Sequence, residues 1–121
     1  MLTYKSIGIV GSREFKNYEQ VKHEFLKHAN LDDRIISGGA IGVDSMAQRI
    51  AKEHGHPILI FYPNYARYGR GATFTRNEQI AANSDIILAF YQKGRFQQGG
   101  TANTAMWARK LGIELLEFEE E

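Results

Sequence analysis

The 121-residue chain has no cysteine, a net charge of +1 and 43% hydrophobic residues. This length suits one domain, residues 1–121, and the composition excludes a disulfide framework, a thiolate nucleophile and a cysteine zinc site. The near-neutral charge argues against a globally basic nucleic-acid binder. No apolar stretch approaches the ~20 residues of a membrane-spanning helix. Because the start also lacks a basic and then apolar leader, we expect a cytoplasmic location and no membrane partner.

Strand-like and helix-like segments alternate along the chain. Strands are predicted at 7–10, 34–37, 57–62, 85–91 and 114–118, and the third is an apolar run of the kind that a parallel sheet buries on both faces. Helices are predicted at 18–29, 43–54, 74–83 and 101–111, while the glycine-rich and aromatic stretch 63–73 predicts a long irregular loop.

This alternation predicts an α/β, Rossmann-like, three-layer fold with a parallel five-stranded sheet in the order 3-2-1-4-5. In such sheets a ligand binds outside the carboxyl ends of the strands, where the strand order reverses. The candidate crevice therefore lies between the first and fourth strands.

Three glycine-rich segments follow strands and precede helices, so the fold places them at this crevice. Glycine lets a ligand approach the backbone closely, and the amino end of a helix presents N–H groups to an anion. We expect these segments to bind the phosphate and ribose of a nucleotide-type ligand. The candidate residues are Gly11, Ser12, Arg13, Ser37, Gly38, Gly39, Ala40, Gly42, Asp44, Gly99, Gly100 and Thr101.

Several of these residues have a purely structural alternative. Asp44 could be a favourable acid in a first helical turn, a brace for its loop or an acceptor for a ribose hydroxyl. Arg13 could point into solvent from a tight turn, and Thr101 could be an ordinary helix N-cap.

A basic and aromatic segment follows the third strand. Between positions 62 and 96 the chain has five basic and two acidic residues. Arginines interleaved with aromatic rings suit phosphates and bases, although the rings could instead cover the core. The predicted ligand residues here are Arg76 and Asn77, and the predicted lid residues are Tyr62, Tyr65, Arg67, Tyr68 and Arg70.

Other chemistry has little support in the sequence. The four histidines are not spaced as ligands on one helix face, so we expect no metal site and no cofactor. No residue is assigned a catalytic role. The four glutamates at 117–121 are interpreted as a solvated end without a function.

The glycine motifs, together with Arg76-Asn77 and Ser84-Asp85, resemble those of the SLOG superfamily, which includes Smf/DprA and LOG proteins. Within it the chain most resembles the small YspA/YpsA-related proteins. The resemblance implies a Rossmann-like fold, a nucleotide-derived ligand and a homodimer or higher homo-oligomer. LOG-type phosphoribohydrolases and related deoxyribosyltransferases carry a glutamate after Gly-Thr, whereas here Ala102, Asn103 and Thr104 follow. This departure argues against an enzyme unless Glu14 or Glu78 supplies the carboxylate.

The function predicted from the sequence is binding of a nucleotide or nucleotide derivative, as a sensor or sequestering module. One alternative is hydrolysis of the N-glycosidic bond of a nucleoside monophosphate. Another is DprA-like binding of single-stranded DNA.

Overall fold

The computed structural model describes residues 4–121 and has one five-stranded sheet at its centre. All of the strands are parallel, and their order is β3-β2-β1-β4-β5, which confirms the predicted topology. The strands are β1 (Ser6–Gly11), β2 (Arg34–Ser37), β3 (Ile58–Ile60), β4 (Ile86–Tyr91) and β5 (Glu114–Glu119).

Helices cover both faces of the sheet, as the three-layer prediction requires. The helices are α1 (Tyr18–His28), α2 (Val43–His54), α3 (Tyr65–Tyr68), α4 (Ala72–Ala82) and α5 (Gly99–Leu111). One core cluster packs α1 and α2 against the sheet, and the other packs α4 and α5 against its opposite face.

The alternation along β1 explains this division. Ile7 and Ile9 are fully buried in the first cluster, whereas Val10 belongs to the second. Successive side chains of a strand point to opposite faces, so a strand buried on both sides has to be apolar at every position. β1 and β4 are buried on both faces along almost their whole length and are apolar apart from Ser6, and the candidate site lies at their carboxyl ends.

Two sequence predictions need correction. β3 is short and only half-buried, because it is an edge strand with β2 as its sole neighbour in the sheet. The stretch 63–73 is not irregular: it holds α3, the 3-10 turn Gly69–Gly71 and the start of α4. The Asn64 side chain caps α3 by accepting a hydrogen bond from the Arg67 N–H at 3.1 Å. Within residues 4–121 no helix is long and apolar enough to cross a membrane.

Candidate functional site

A cavity of about 970 Å³ opens at the carboxyl ends of β1 and β4, where the strand order reverses. All three glycine-rich segments contribute to its lining. The predicted site residues that line it are Gly11, Ser12, Arg13, Gly38, Gly39, Ala40, Asp44, Tyr65, Arg76, Asn77, Gly99, Gly100 and Thr101.

The loop after β1 forms one wall. The Ser12 hydroxyl accepts a hydrogen bond from the Glu14 N–H at 3.1 Å, which fixes a tight turn. The side chains of Arg13 and Glu14 are exposed at the cavity. Arg13 therefore lies on a tight turn, and its exposed side chain is part of the cavity lining.

Gly42 and Ser37 are not among the residues that line the cavity, although both were predicted site residues. A Cβ on Gly42 would lie 2.6 Å from the Arg13 Cα and from the Ser12 carbonyl oxygen, and Gly42 has a φ of +80°. Gly42 therefore lets the loops after β1 and β2 approach each other. Ser37 is completely buried beneath the site.

Asp44 braces the loop after β2. Its side chain is only 7% exposed, and its Oδ2 accepts a hydrogen bond from the Ala40 N–H at 3.0 Å. Burial raises the pKa of Asp44, and the opposing effects of the Ala40 hydrogen bond and the Arg76 charge are smaller. Of the three roles considered for Asp44, bracing of its loop is the one that a hydrogen bond in the structure supports.

Arg76 and Asn77 connect three elements around the cavity. Arg76 Nη1 donates to the Gly38 carbonyl oxygen at 2.6 Å, and its Nε donates to Asn77 Oδ1 at 2.9 Å. Asn77 Nδ2 donates in turn to Asn103 Oδ1 at 3.0 Å. This chain of hydrogen bonds joins the loop after β2 to α4 and α5.

The amino end of α5 faces the cavity. Its N-cap is Gln98, not Thr101, and the Gln98 side chain makes no capping hydrogen bond. Gly99 and Gly100 are exposed there, and a Cβ on either would meet no atom within 4 Å. The N–H groups of the first turn are therefore accessible to an anion.

The predicted lid residues have different positions. Tyr65 lines the cavity, and the ring of Tyr62 lies against Gly39. Arg67 and Tyr68 stack on each other outside the cavity, with the guanidinium 5.3 Å from the ring centroid. Arg70 is exposed on the adjoining 3-10 turn.

Sequence reasoning assigned no ligand role to several residues that line the cavity. They are Gln92, Arg95, Gln98, Asn103, Thr104 and, from the first turn of α4, Thr73. Gln92, Arg95 and Gln98 could have been predicted from the sequence, because they lie in the loop between a buried strand and a helix, where ligands bind in this kind of fold. Within residues 4–121 no three histidine or acidic side chains are close enough together to hold a metal ion.

Fold and cavity together define a Rossmann-like α/β domain with a glycine-lined cleft at the carboxyl edge of its sheet. The family model of DNA recombination-mediator protein A matches residues 1–64, which is more than half of the chain. The chain belongs to this family, which confirms the resemblance to the Smf/DprA branch of the SLOG superfamily.

Similar proteins agree with this assignment. A protein named DNA processing protein DprA, found in two strains of Mycobacterium tuberculosis, is 29% identical over 139 aligned positions. The alignment covers 89% of this chain but only 35% of the relative, so the chain spans about a third of that protein's length.

Two solved structures have the same fold. DNA processing protein A of Helicobacter pylori, described for its single-stranded DNA binding mode, has a TM-score of 0.69 and 20% identity over 93% of this chain and 64% of its own. DprA of Streptococcus pneumoniae has a TM-score of 0.74 and 17% identity over 94% of this chain and 50% of its own.

Proposed function

We propose that the cavity binds single-stranded nucleic acid, with phosphate groups on the glycine-rich loops and bases against the aromatic rim. The observation that carries this proposal is the combination of an uncapped helix end, exposed arginines and exposed aromatic rings at one cavity. In this proposal residues 1–121 form one binding domain.

The phosphate part rests on α5 and two arginines. The first-turn N–H groups of α5 and the helix dipole favour an anion at Gly99 and Gly100. Arg13 and Arg95 are exposed and line the same cavity, so their guanidinium groups can donate charge-assisted hydrogen bonds to it. Arg76 has a different role: it is hydrogen-bonded to Gly38 and Asn77 and holds the loops in place.

The base-binding part rests on aromatic side chains beside these cations. Tyr65 is 61% exposed and Phe74 is 56% exposed, and both line the cavity. Tyr62, 64% exposed, lies next to them on Gly39. Stacking of a base on an aromatic ring contributes about 1–3 kcal/mol and tolerates any sequence.

Family membership favours this function over the nucleotide sensor that the sequence alone suggested. The H. pylori relative is described as binding single-stranded DNA. A net charge of only +1 is compatible with such binding when the cations are concentrated at the site. Asn103 and Thr104 line the cavity where related hydrolases carry a glutamate, which supports binding without turnover.

A single nucleotide is the second candidate ligand. The three loops converge on one cavity, and its volume of about 970 Å³ is at the upper end of the ~300–1,000 Å³ typical of small-ligand pockets. The homo-oligomer that the family resemblance implies stays a prediction.

The test is fluorescence anisotropy of a labelled 15-nucleotide oligo-dT between 50 and 200 mM salt. With two to four phosphate contacts, log K should fall with log[salt] at a slope of about −1.4 to −2.8. Arg13→Ala should weaken binding about tenfold and make the slope shallower by about 0.7. The control is Lys27→Ala, which removes an exposed charge from the last turn of α1 at the opposite edge of the sheet.

Absence of binding, or equal affinity in the Arg13→Ala and Lys27→Ala variants, would contradict the proposal. Competition with AMP distinguishes single-stranded nucleic acid from a single nucleotide as the ligand. AMP should displace the oligonucleotide only weakly if a strand is the ligand, and tight AMP binding without oligonucleotide binding would favour the second candidate.

A further inference from the structure

The acidic C-terminal end is not a solvated tail. Glu117 and Glu119 belong to β5, and Glu120 follows directly. The side chains of all three accept hydrogen bonds: Glu117 from Gln97, Glu119 from Gly94 and Glu120 from Lys16, which is 104 positions earlier in the chain.

Glu117 is the most buried of these side chains, at 12% exposure. Its Oε2 accepts a hydrogen bond from the Tyr91 hydroxyl at 2.6 Å, and its Oε1 accepts one from Gln97 Nε2 at 3.1 Å and pairs with Arg109. Tyr91 is itself buried and lines the cavity. Glu117 therefore connects the end of β4, the loop after it and α5.

The loop that Glu117 reaches, residues 92–98, forms one cavity wall through Gln92, Arg95 and Gln98. It contains Gln97, whose φ of +61° is in the left-handed region that a side chain disfavours. Such a conformation persists when surrounding contacts hold it. A second contact comes from Glu119, whose Oε2 accepts a hydrogen bond from the Gly94 N–H at 2.8 Å.

Glu120 makes corresponding contacts with the segment that follows the loop after β1. Its Oε2 accepts hydrogen bonds from the N–H groups of Lys16 at 2.8 Å and Asn17 at 3.1 Å, at the amino end of α1. Its own N–H donates to the Tyr91 carbonyl oxygen at 2.8 Å. Lys16 directly follows the 12–15 loop that carries Arg13, so Glu120 links that loop to the end of β4.

We propose that Glu117 and Glu120 are positioning residues for the binding site: from the C-terminal strand they hold the two loops that carry Arg95 and Arg13. Part of this proposal, the effect on ligand affinity, rests on the proposed function. The two arginines line the same cavity from different loops, and a phosphate strand contacts both only when the separation of the loops is fixed.

Glu117→Ala and Glu120→Ala test this proposal, because alanine removes every hydrogen bond that the two carboxylates accept. Glutamine would not do so at position 120, because both backbone donors bond to the same oxygen, Oε2, which an amide oxygen can replace. The matched controls are Glu114→Ala, an exposed position on the same strand, and Glu121→Ala, where the side chain at the chain end is exposed.

The first measurement is amide hydrogen exchange, which needs no ligand. In Glu117→Ala the amides of Arg95 and Gln98 should exchange about tenfold faster than in wild type, and in Glu120→Ala those of Lys16 and Asn17 should do so. The core amides of β1 should keep their protection, which distinguishes loop release from global destabilisation. Wild-type exchange at the loop amides in both variants would overturn the proposal.

The second measurement is affinity for the 15-nucleotide oligo-dT. Each variant should bind about five- to tenfold more weakly, with both controls at the wild-type value. Faster loop exchange with unchanged affinity would also overturn the positioning role. If the wild-type protein binds no oligonucleotide, the proposed function fails, whereas the exchange data still decide whether the glutamates hold the loops.

Discussion

Arg76 on α4 donates a hydrogen bond to the carbonyl oxygen of Gly38, 38 positions earlier in the chain, at 2.6 Å. The same guanidinium donates from Nε to Asn77 Oδ1. A Cβ on Gly38 would lie 2.7 Å from Arg76 Nη1, so the close approach depends on the glycine. Arg76, which the sequence predicts to be a ligand residue, therefore also braces the loop after β2.

The Arg76→Lys variant should separate the contribution of the Arg76 hydrogen bonds to stability from that of its positive charge. Lysine keeps the positive charge but cannot donate to Gly38 and Asn77 in the planar geometry of a guanidinium. We expect a loss of about 2 kcal/mol in the free energy of unfolding, measured by urea denaturation. Arg70→Lys, on the exposed 3-10 turn, is the control and should cost less than about 0.5 kcal/mol. Equal stability of the two variants would show that the Arg76 hydrogen bonds contribute little.

Gly42→Ala should destabilise the protein far more than an equivalent change elsewhere. Its φ is +80°, and a Cβ would collide with the backbone of Ser12 and Arg13 at 2.6 Å. We expect a loss of about 3 kcal/mol in thermal or urea unfolding. Gly55→Ala is the matched control, because Gly55 has a similar φ of +75° but no atom within 4 Å of its Cβ position, and it should lose about 1 kcal/mol. A similar loss in both variants would exclude the steric explanation.

Asp33→Asn should destabilise the protein at neutral pH and much less in acid. Burial alone would raise the pKa of Asp33, but hydrogen bonds from Asn30 and Lys5 outweigh it, so the pKa lies below the ordinary 3.8. The native state then binds fewer protons than the unfolded state, and this stabilisation is present above pH 3.8 and lost as the pH falls through the native pKa. We expect a loss of about 2 kcal/mol at pH 7 that shrinks towards pH 3. A loss independent of pH would contradict the assignment.

Asp44→Asn should have the opposite pH dependence. Burial raises the pKa of Asp44 above 3.8, so the native state binds a proton more readily than the unfolded state, and stability decreases as the pH rises through that interval. Relative to wild type, the variant should therefore gain stability as the pH is raised from below 3.8 to neutral. A stability difference that stays constant over this range, measured by urea unfolding at several pH values, would contradict the raised pKa.

The fold could be predicted from the sequence because its signals are local. The buried strands are mostly apolar runs, α1, α2 and α5 each have an apolar stripe at helical spacing, and Gly55 and Gly112 end helices in the left-handed conformation as expected. The predicted strand order already placed β3 at the edge, but β3 was predicted too long because an apolar run does not show where pairing with the short β2 ends, which is at Ser37 and Ile60. α3 was missed because four residues are too few to show a period.

The site was predicted in outline and not in its internal contacts. Position after a strand identified the three glycine-rich loops, and the strand order placed them together. Hydrogen bonds between distant residues, such as those of Arg76 with Gly38 and Glu120 with Lys16, leave no periodic trace in the sequence. For that reason the bracing role of Arg76 and the packing of the acidic end against α1 became visible only in the structure.

The most direct test of the central claim is an NMR titration of the ¹⁵N-labelled protein with the 15-nucleotide oligo-dT. If the cavity is the binding site, the largest shift changes should occur at the amides of Ser12–Glu14, Gly38–Ala40 and Gly99–Thr101, and residues at the opposite edge of the sheet, such as Leu31 and His56, should not respond. Changes confined to that opposite edge, or no changes at all, would contradict the assignment of this cleft as a single-stranded nucleic-acid site.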